Sequence, residues 1–280
     1  IAFGTAATIM LNKHIGDYTG SFSYCENDDV NEDGVPKSFP VQNERLKTAK
    51  PDDFKKIPGS PVAYWVSNKF KKVFEEDAIE SITISDGQNK TGNNDKFLRE
   101  LWEVSKLSIG KQKKWIFYAK GGGFRRWYGN ITSVVNWSEE ARIHYRKDHV
   151  CRIIPEYLWF KKGITWGLIT SALPSFRVLQ DNSTFDVGGS SVFFKEEKDI
   201  AYTMGILNSK LCLKILNITN PTLNFQVKNI REIPIFEVKN RNVIENNVIN
   251  LEALSKRDWD SYETSWDFTQ NPIIGMNKPN

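Results

Sequence analysis

Between residues 112 and 195 the chain carries five short apolar stretches, "KWIFYA", "SVVNW", "GLITS", "SFRVL" and "SSVFF", separated by Gly, Asn, Asp and Pro. Short runs rich in β-branched and aromatic residues, closed by turn formers, are the signature of strands. They run straight into "KDIAYTMGILNSKLCLKIL" (198–216), where Ile200, Met204, Leu207, Leu211 and Ile215 recur at helical spacing. Strands first and a helix afterwards argue for an α+β fold. The expectation is a β-rich lobe backed by a long supporting helix.

Outside this block the pattern is looser. Residues 62–76 place Val62, Tyr64, Trp65, Val66, Phe70, Val73 and Phe74 on one face and suggest an amphipathic helix. Residues 85–104 begin in a Gly/Asn-rich loop and become a short helical or extended run, and 220–238 reads as extended chain. In the tail, Trp259, Tyr262 and Trp266 fall at i, i+3 and i+7, as on a helix face that packs on something. The chain has 280 residues, 40% of them hydrophobic and 12% aromatic, enough for a core of one large domain or two smaller ones. No apolar run approaches the ~18 residues that span a bilayer. The opening "IAFGTAATIMLNKHIGDY" has neither an initiator Met nor a basic leader region, so the chain is expected to be a piece of a longer cytoplasmic protein. Cys25, Cys151 and Cys212 are far apart, and with His14, His144 and His149 they show no metal-ligand spacing; free thiols in a reducing compartment are expected.

Charge is more informative in its distribution than in its total of +4. From Val104 to Trp137 there is no Asp or Glu, yet seven Lys or Arg fall there, interleaved with seven aromatics. A local basic and aromatic block is a footprint of polyanion contact. At its centre stands "KWIFYAKGGGFRRWYGN" (114–130). Its glycines invite a nucleotide-loop reading, but a P-loop needs Gly-Lys-Ser/Thr running into a helix, and a dinucleotide fingerprint needs a strand, a turn and a helix. The aromatic run after Gly123 fits neither. A glycine turn between two strands fits, with Lys120, Arg125 and Arg126 at its tip facing either a nucleic-acid backbone or water.

Other motifs read as structural. "GGSSVFF" (188–194) lacks the nucleophile-elbow pattern. "TNPTLNF" (219–225) has an Asn-Pro but not the second Pro and aromatic of an Asn-Pro-Pro-Tyr methyltransferase motif, and its Pro suits the end of the preceding helix. The acidic loop "CENDDVNEDG" (25–34) has no EF-hand spacing. No catalytic, cofactor-binding or metal-binding set is expected within the chain.

Several stretches, in order, resemble one family. They are "IPGSPVAYWVS" (57–67), "TGNNDKFLRELWEV" (91–104), the 114–130 segment, "VVNW" (134–137), "GITWGLITS" (163–171), "FDVGGSSVF" (185–193), "GILNSKLCLKILNITNPTLNFQVKNIREIPI" (205–235) and "DWDSYETSWDF" (258–268). Together they look like the region downstream of the catalytic domain in PglX-type adenine-specific DNA methyltransferases of BREX phage defence and in related type II restriction-modification enzymes. The helix followed by "NIREIPI" is also similar to the end of a recognition domain in type I specificity subunits. The resemblance implies a target recognition domain for double-stranded DNA, in a bacterial parent that takes its methyl group from S-adenosylmethionine. It further implies residues 1–84 as a linker or subdomain joining the catalytic domain, 85–238 as the target recognition domain, and 239–280 as the start of a C-terminal helical region.

A recognition lobe reads base edges with polar side chains, Asn and Gln suiting adenine and Arg and Lys suiting guanine. Candidates are Asn93, Asn94, Lys96 and Arg99, then Lys113, Lys114 and Lys120, then Arg125 and Arg126, and last Arg177 and Gln180. The rival reading is a protein-interaction module, docking other defence-system proteins through the acidic 25–34 loop and the Trp-rich 258–268 segment.

Overall fold

A computed structural model describes residues 8–170 and 173–276, so the first seven residues of the leader reading and Ser171 of the stretch "GLITS" lie outside the described residues. The chain separates into two units, Ile1–Glu75 and Glu76–Asn280.

In the first unit β1 (Gly20–Phe22) pairs antiparallel with β2 (Lys47–Ala49). Phe22 stacks on Tyr64 at 4.8 Å and meets Phe54 edge-on at 5.6 Å. The amphipathic helix expected over 62–76 is reduced to α1 (Asn68–Lys71), capped by Ser67 and followed by one 3-10 turn. Ser67, in extended backbone with its side chain accepting from Phe70 N, sets the start of the helix at Asn68 rather than Val62.

The second unit holds two four-stranded sheets. Its remaining elements, in chain order, are β3 (Thr83–Ile84), α2 (Asn94–Phe97), β4 (Leu98–Glu100), β5 (Trp115–Ala119), β6 (Ser133–Asn136), α3 (Glu139–Lys147), β7 (Gly163–Trp166), β8 (Phe176–Leu179), β9 (Ser183–Phe185) and β10 (Ser191–Phe194). They are followed by α4 (Asp199–Leu207), α5 (Lys210–Thr219), α6 (Val227–Arg231), α7 (Arg241–Trp259) and α8 (Pro272–Met276). One sheet has the order β3-β10-β7-β8 and is antiparallel throughout; the other runs β4-β6-β5-β9, with β9 parallel to β5. The α+β expectation holds. Four of the five apolar stretches became strands; in the fifth, the strand is Gly163–Trp166, and "GLITS" begins after it.

Period-2 alternation in β5 explains its burial on both faces. Ile116 and Tyr118 pack with Val135, Trp137, Ala141 and Tyr145 beneath α3, whereas Trp115 and Phe117 pack with Leu101 and Val134 on the opposite face. The two sheets meet where β5 ends. A Cβ on Gly189 would lie 2.2 Å from the Ala119 carbonyl oxygen, so only glycine permits this approach.

The helix expected over 198–216 is two helices. Asn208 turns its side chain onto the edge of β8: its Oδ1 accepts from Phe176 N at 3.1 Å and its Nδ2 donates to Phe176 O at 2.9 Å. Ser209 then caps a new helix by accepting from Cys212 N at 3.1 Å. The long helix is instead α7, which lies against α4 where Gly205 leaves room: a Cβ there would sit 2.9 Å from Ile244. The expected tail helix stops at Trp259, and residues 260–266 continue as turns. Likewise α6 interrupts the extended chain expected over 220–238.

Candidate nucleic-acid interface

The connection between β5 and β6 is not the tight glycine turn expected. Gly121 and Gly122 take φ of 87° and 95°, and Trp127 and Asn130 also adopt left-handed backbone, at 72° and 56°. The segment "FRRWY" therefore does not form the second strand of a hairpin; it crosses to the edge of β8. There Trp127 N donates to Phe176 O at 2.9 Å and Val178 N donates to Trp127 O at 3.0 Å.

The C-terminal end of α7 clasps this loop from outside. Ser255 Oγ bonds the carbonyls of Arg126 and Tyr128 at 3.0 and 3.1 Å. Arg125 returns the contact: its guanidinium donates to Tyr128 O at 2.9 Å, Ser255 O at 3.1 Å and Asp258 Oδ2 at 2.7 Å, and lies 4.9 Å over the Trp259 ring. Lys256 sits 5.1 Å over Tyr128 and pairs with Asp260 and Asp267, contacts that hold its ammonium pKa above the usual lysine range against the opposing effect of burial. Arg126 lies half-buried over Phe124 at 5.3 Å, with its Nε buried and unpartnered.

Arg177 is interior. It is 1% exposed, its Nη2 donates to the Gly121 carbonyl, and its Nη1 has no partner. Beside it lies a cavity of about 10 Å³, bordered by Phe117, Asn130, Thr165 and Gln180, with room for about one water. Among the described residues no carboxylate pairs with Arg177, and burial pulls the guanidinium pKa down to about 10. Enclosed between the sheets, Arg177 cannot present itself at a surface. Gln180 is half-buried and shares that cavity.

The remaining candidates, Arg99 apart, fall toward opposite ends of the β4-β6-β5-β9 sheet. Leu98 and Ile116 both pair with Val135, and Arg99 and Phe117 both pair with Val134. This register sets Asn93, Asn94, Lys96, Lys113 and Lys114 toward the end where β5 begins, with Arg99 level with its middle residue. Lys120 stands at the end where it finishes, about 13 Å away at ~3.3 Å per residue, and Arg125 and Arg126 lie beyond it in the segment that crosses to β8. At the first end, Asn93 caps α2 by accepting from Lys96 N at 3.0 Å, and Asn94 accepts from Thr91 Oγ1 at 2.7 Å. Arg99 folds back on the Asp95 carbonyl at 2.8 Å, whereas Lys96, Lys113 and Lys114 are exposed.

Acidic groups from distant sequence also reach the basic block. Asp181 pairs with Lys111 at 2.7 Å, Asp186 stands 4.0 Å from Lys120, and Asp258 takes Arg125. Lys106 is spent on the Trp266 carbonyl and ring. Among the described residues Lys113, Lys114 and Arg126 keep no ion pair, and of these the two lysines are exposed, Lys114 with its ammonium 5.6 Å over the Trp115 ring. Two further cations, Arg142 and Arg146 at i, i+4 on α3, lie over Trp159 at 5.2 and 5.6 Å, and Arg146 also pairs with Glu156.

The groups suggested for protein docking are largely occupied. Arg45 pairs with Glu26 and Asp29 of the acidic loop, Trp259 lies under Arg125, and Trp266 meets Phe117 edge-on at 5.4 Å. Of Trp259, Tyr262 and Trp266, Tyr262 alone is well exposed.

No protein-family model matches the chain. Two curated relatives do. Over 276 residues, 96% of this chain, it is 33% identical to the adenine-specific methyltransferase BrxX of Escherichia coli O9:H4 (strain HS), of which it covers 22%. Over 254 residues, 84% of this chain, it is 32% identical to the adenine-specific methyltransferase PglX of Lacticaseibacillus casei (strain Zhang), of which it covers 21%. The chain thus spans about a fifth of the length of the relatives it matches. Similarity at this level through most of its residues makes the chain a homologue of a segment of the PglX/BrxX adenine-specific methyltransferases.

Proposed function

We propose that this chain is the target recognition part of an adenine-specific DNA methyltransferase of phage defence, gripping double-stranded DNA while a catalytic domain elsewhere in the parent transfers methyl from S-adenosylmethionine. The observation that carries the reading is the free charge at one sheet end. Lys96, Lys113 and Lys114 are exposed toward the same sheet end as Asn93 and Asn94 and keep no ion pair among the described residues, Lys96 and Lys114 lying over the Phe97 and Trp115 rings. By contrast, Lys111, Lys120 and Arg125 stand against acids and Lys106 bonds a carbonyl. An unpaired ammonium on a surface is suited to phosphate, and neighbouring amide side chains are suited to adenine edges. A methyltransferase that extrudes its base needs such a lobe, because the flipped nucleotide no longer holds the duplex in register. Lys120 stands at the far end and Arg126 beyond it, and both belong to a longer footprint.

Fluorescence-anisotropy titration of a labelled duplex tests this. If Lys96, Lys113 and Lys114 each neutralise one phosphate, raising salt from about 50 to about 200 mM weakens binding roughly 40-fold, on a slope of ~0.9 per contact. Absence of any duplex affinity at the lower salt would refute the reading.

A further inference from the structure

Sequence spacing gave no metal site, yet the fold brings together three side chains of different chemistry. His144 lies in the last turn of α3, Asp148 is its C-terminal cap residue, and Cys151 follows in the loop, at i, i+4 and i+7. Their donor atoms all lie within 4.8 Å of one another, and His144 Nε2 is 3.9 Å from Asp148 Oδ2.

Each group is already oriented. The His144 ring packs on Phe97 at 5.0 Å. Asp148 is held by Val150 N, which donates to its Oδ1 at 2.8 Å, leaving Oδ2 toward the imidazole. Cys151 is buried, its Sγ 3.0 Å from the Thr91 carbonyl and pressed so close to Gly92 that a Cβ there would lie 2.8 Å from the sulfur. His144 and Asp148 are partly exposed, which leaves an entry path from solvent.

We propose that His144, Asp148 and Cys151 bind a borderline-soft divalent cation of the zinc class, with water as fourth ligand. One imidazole nitrogen, one carboxylate oxygen and one thiolate make a mixed N/O/S set that suits zinc better than a hard cation, which prefers oxygen alone. Bonds of ~2.0–2.3 Å in a tetrahedron put donors about 3.4–3.7 Å apart, so rotations of the two half-exposed side chains close the set. Binding breaks the S–H bond of Cys151 and passes its proton to solvent, so affinity rises with pH. Such an ion would tie the end of α3 to the loop that follows it, in exchange for the hydrogen bond that the Cys151 thiol donates to the Thr91 carbonyl. The inference stands apart from DNA binding and needs no duplex.

Co2+ is the probe, added to the metal-free full chain under reducing conditions. The expected result is one equivalent bound, with a near-ultraviolet thiolate-to-cobalt charge-transfer band that Zn2+ abolishes by competition. Cys25→Ser retains the band and Cys151→Ser loses it. His144→Gln and Asp148→Asn, which alter half-exposed groups and leave the core intact, weaken Co2+ binding at least tenfold. Absence of the band, its survival in Cys151→Ser, or unchanged affinity in both His144→Gln and Asp148→Asn overturns the site.

Discussion

Arg125 and Asp258, 133 residues apart in sequence, form an ion pair of 2.7 Å that joins the glycine loop to the end of the longest helix. The arginine is mostly enclosed and also bonds two carbonyls and covers Trp259, whereas the aspartate is largely exposed. The two partners are therefore unequal. Arg125→Ala removes the bonds and the ring contact together and is expected to cost about 1–3 kcal/mol, read as a lower midpoint in urea. Asp258→Asn removes only a solvent-screened attraction and costs under about 1 kcal/mol. Equal losses in the two variants would mean that the pair, not the packing of the guanidinium, holds the loop.

Arg177 behaves in the opposite way, because its charge is buried with no paired carboxylate among the described residues. Its pKa falls to about 10 in the folded chain and keeps the ordinary, higher arginine value when unfolded. Between those values the unfolded state binds the extra proton, so this group makes stability rise with pH from about 10 upward; below that the full burial penalty remains. Arg177→Met deletes the cation at similar volume, and thermal melts should place it within about 1 kcal/mol of the parent or above it. Arg177→Ala leaves a cavity and costs about 2–4 kcal/mol. A methionine variant as damaged as the alanine one would show that the bond to the Gly121 carbonyl outweighs the burial of charge.

Asn208 supplies β8 with the partner that a further strand would have given. Phe176 O keeps Trp127 N as a second partner, but Phe176 N has only Asn208 Oδ1. Asn208→Ala thus leaves one buried backbone N–H unsatisfied, an expected loss of about 1–3 kcal/mol. Asn208→Asp retains the acceptor yet buries a carboxylate against the Phe176 carbonyl, and should be the less stable of the two in the same denaturation series.

The three thiols should differ in reactivity and in their effect on stability. Cys25 is exposed, whereas burial pushes the Cys212 thiol from an ordinary value near 9 up to about 12. Below pH 9 both folded and unfolded states keep the Cys212 proton. From 9 to 12 only the unfolded chain loses it, so stability falls across that window. Maleimide labelling of the native chain at pH 8, read by peptide mass spectrometry, should modify Cys25 alone within the time that denatured chain reacts at all three. Native labelling of Cys212 at a comparable rate would show that α5 opens readily.

The strands were legible because their stretches are short, β-rich and bounded by turn residues, and the fold class followed from them. The position of Arg177 was not. Strand alternation suggests an outward side chain flanked by Phe176 and Val178, but β8 is covered on both faces, where period-2 reasoning has no outside to assign. Nor could local pattern show the break at Asn208, since Leu207 and Leu211 keep perfect helical spacing across it; a side-chain bond to Phe176, 32 residues earlier, decides it. The basic block was visible, but its neutralisation was not, because Asp181, Asp186 and Asp258 arrive from far along the chain. What the residues announced was charge; the fold determines which of that charge stays free.

Lys113 and Lys114 provide the sharpest test of that free charge. Both are exposed in the turn before β5, and neither has an ion pair among the described residues. Changing both to Gln should leave folding within about 0.5 kcal/mol of the parent, as for surface positions away from packing. If each neutralises a phosphate, the double variant binds duplex more weakly across all sequences and its log–log salt slope drops by about two. The same measurement on Arg125→Ala would mix lost binding with a loosened loop, so the lysine pair is the cleaner comparison. An unchanged slope in Lys113→Gln/Lys114→Gln, with duplex binding intact, would move the contact surface away from the β5 start and toward Lys120 and Arg126.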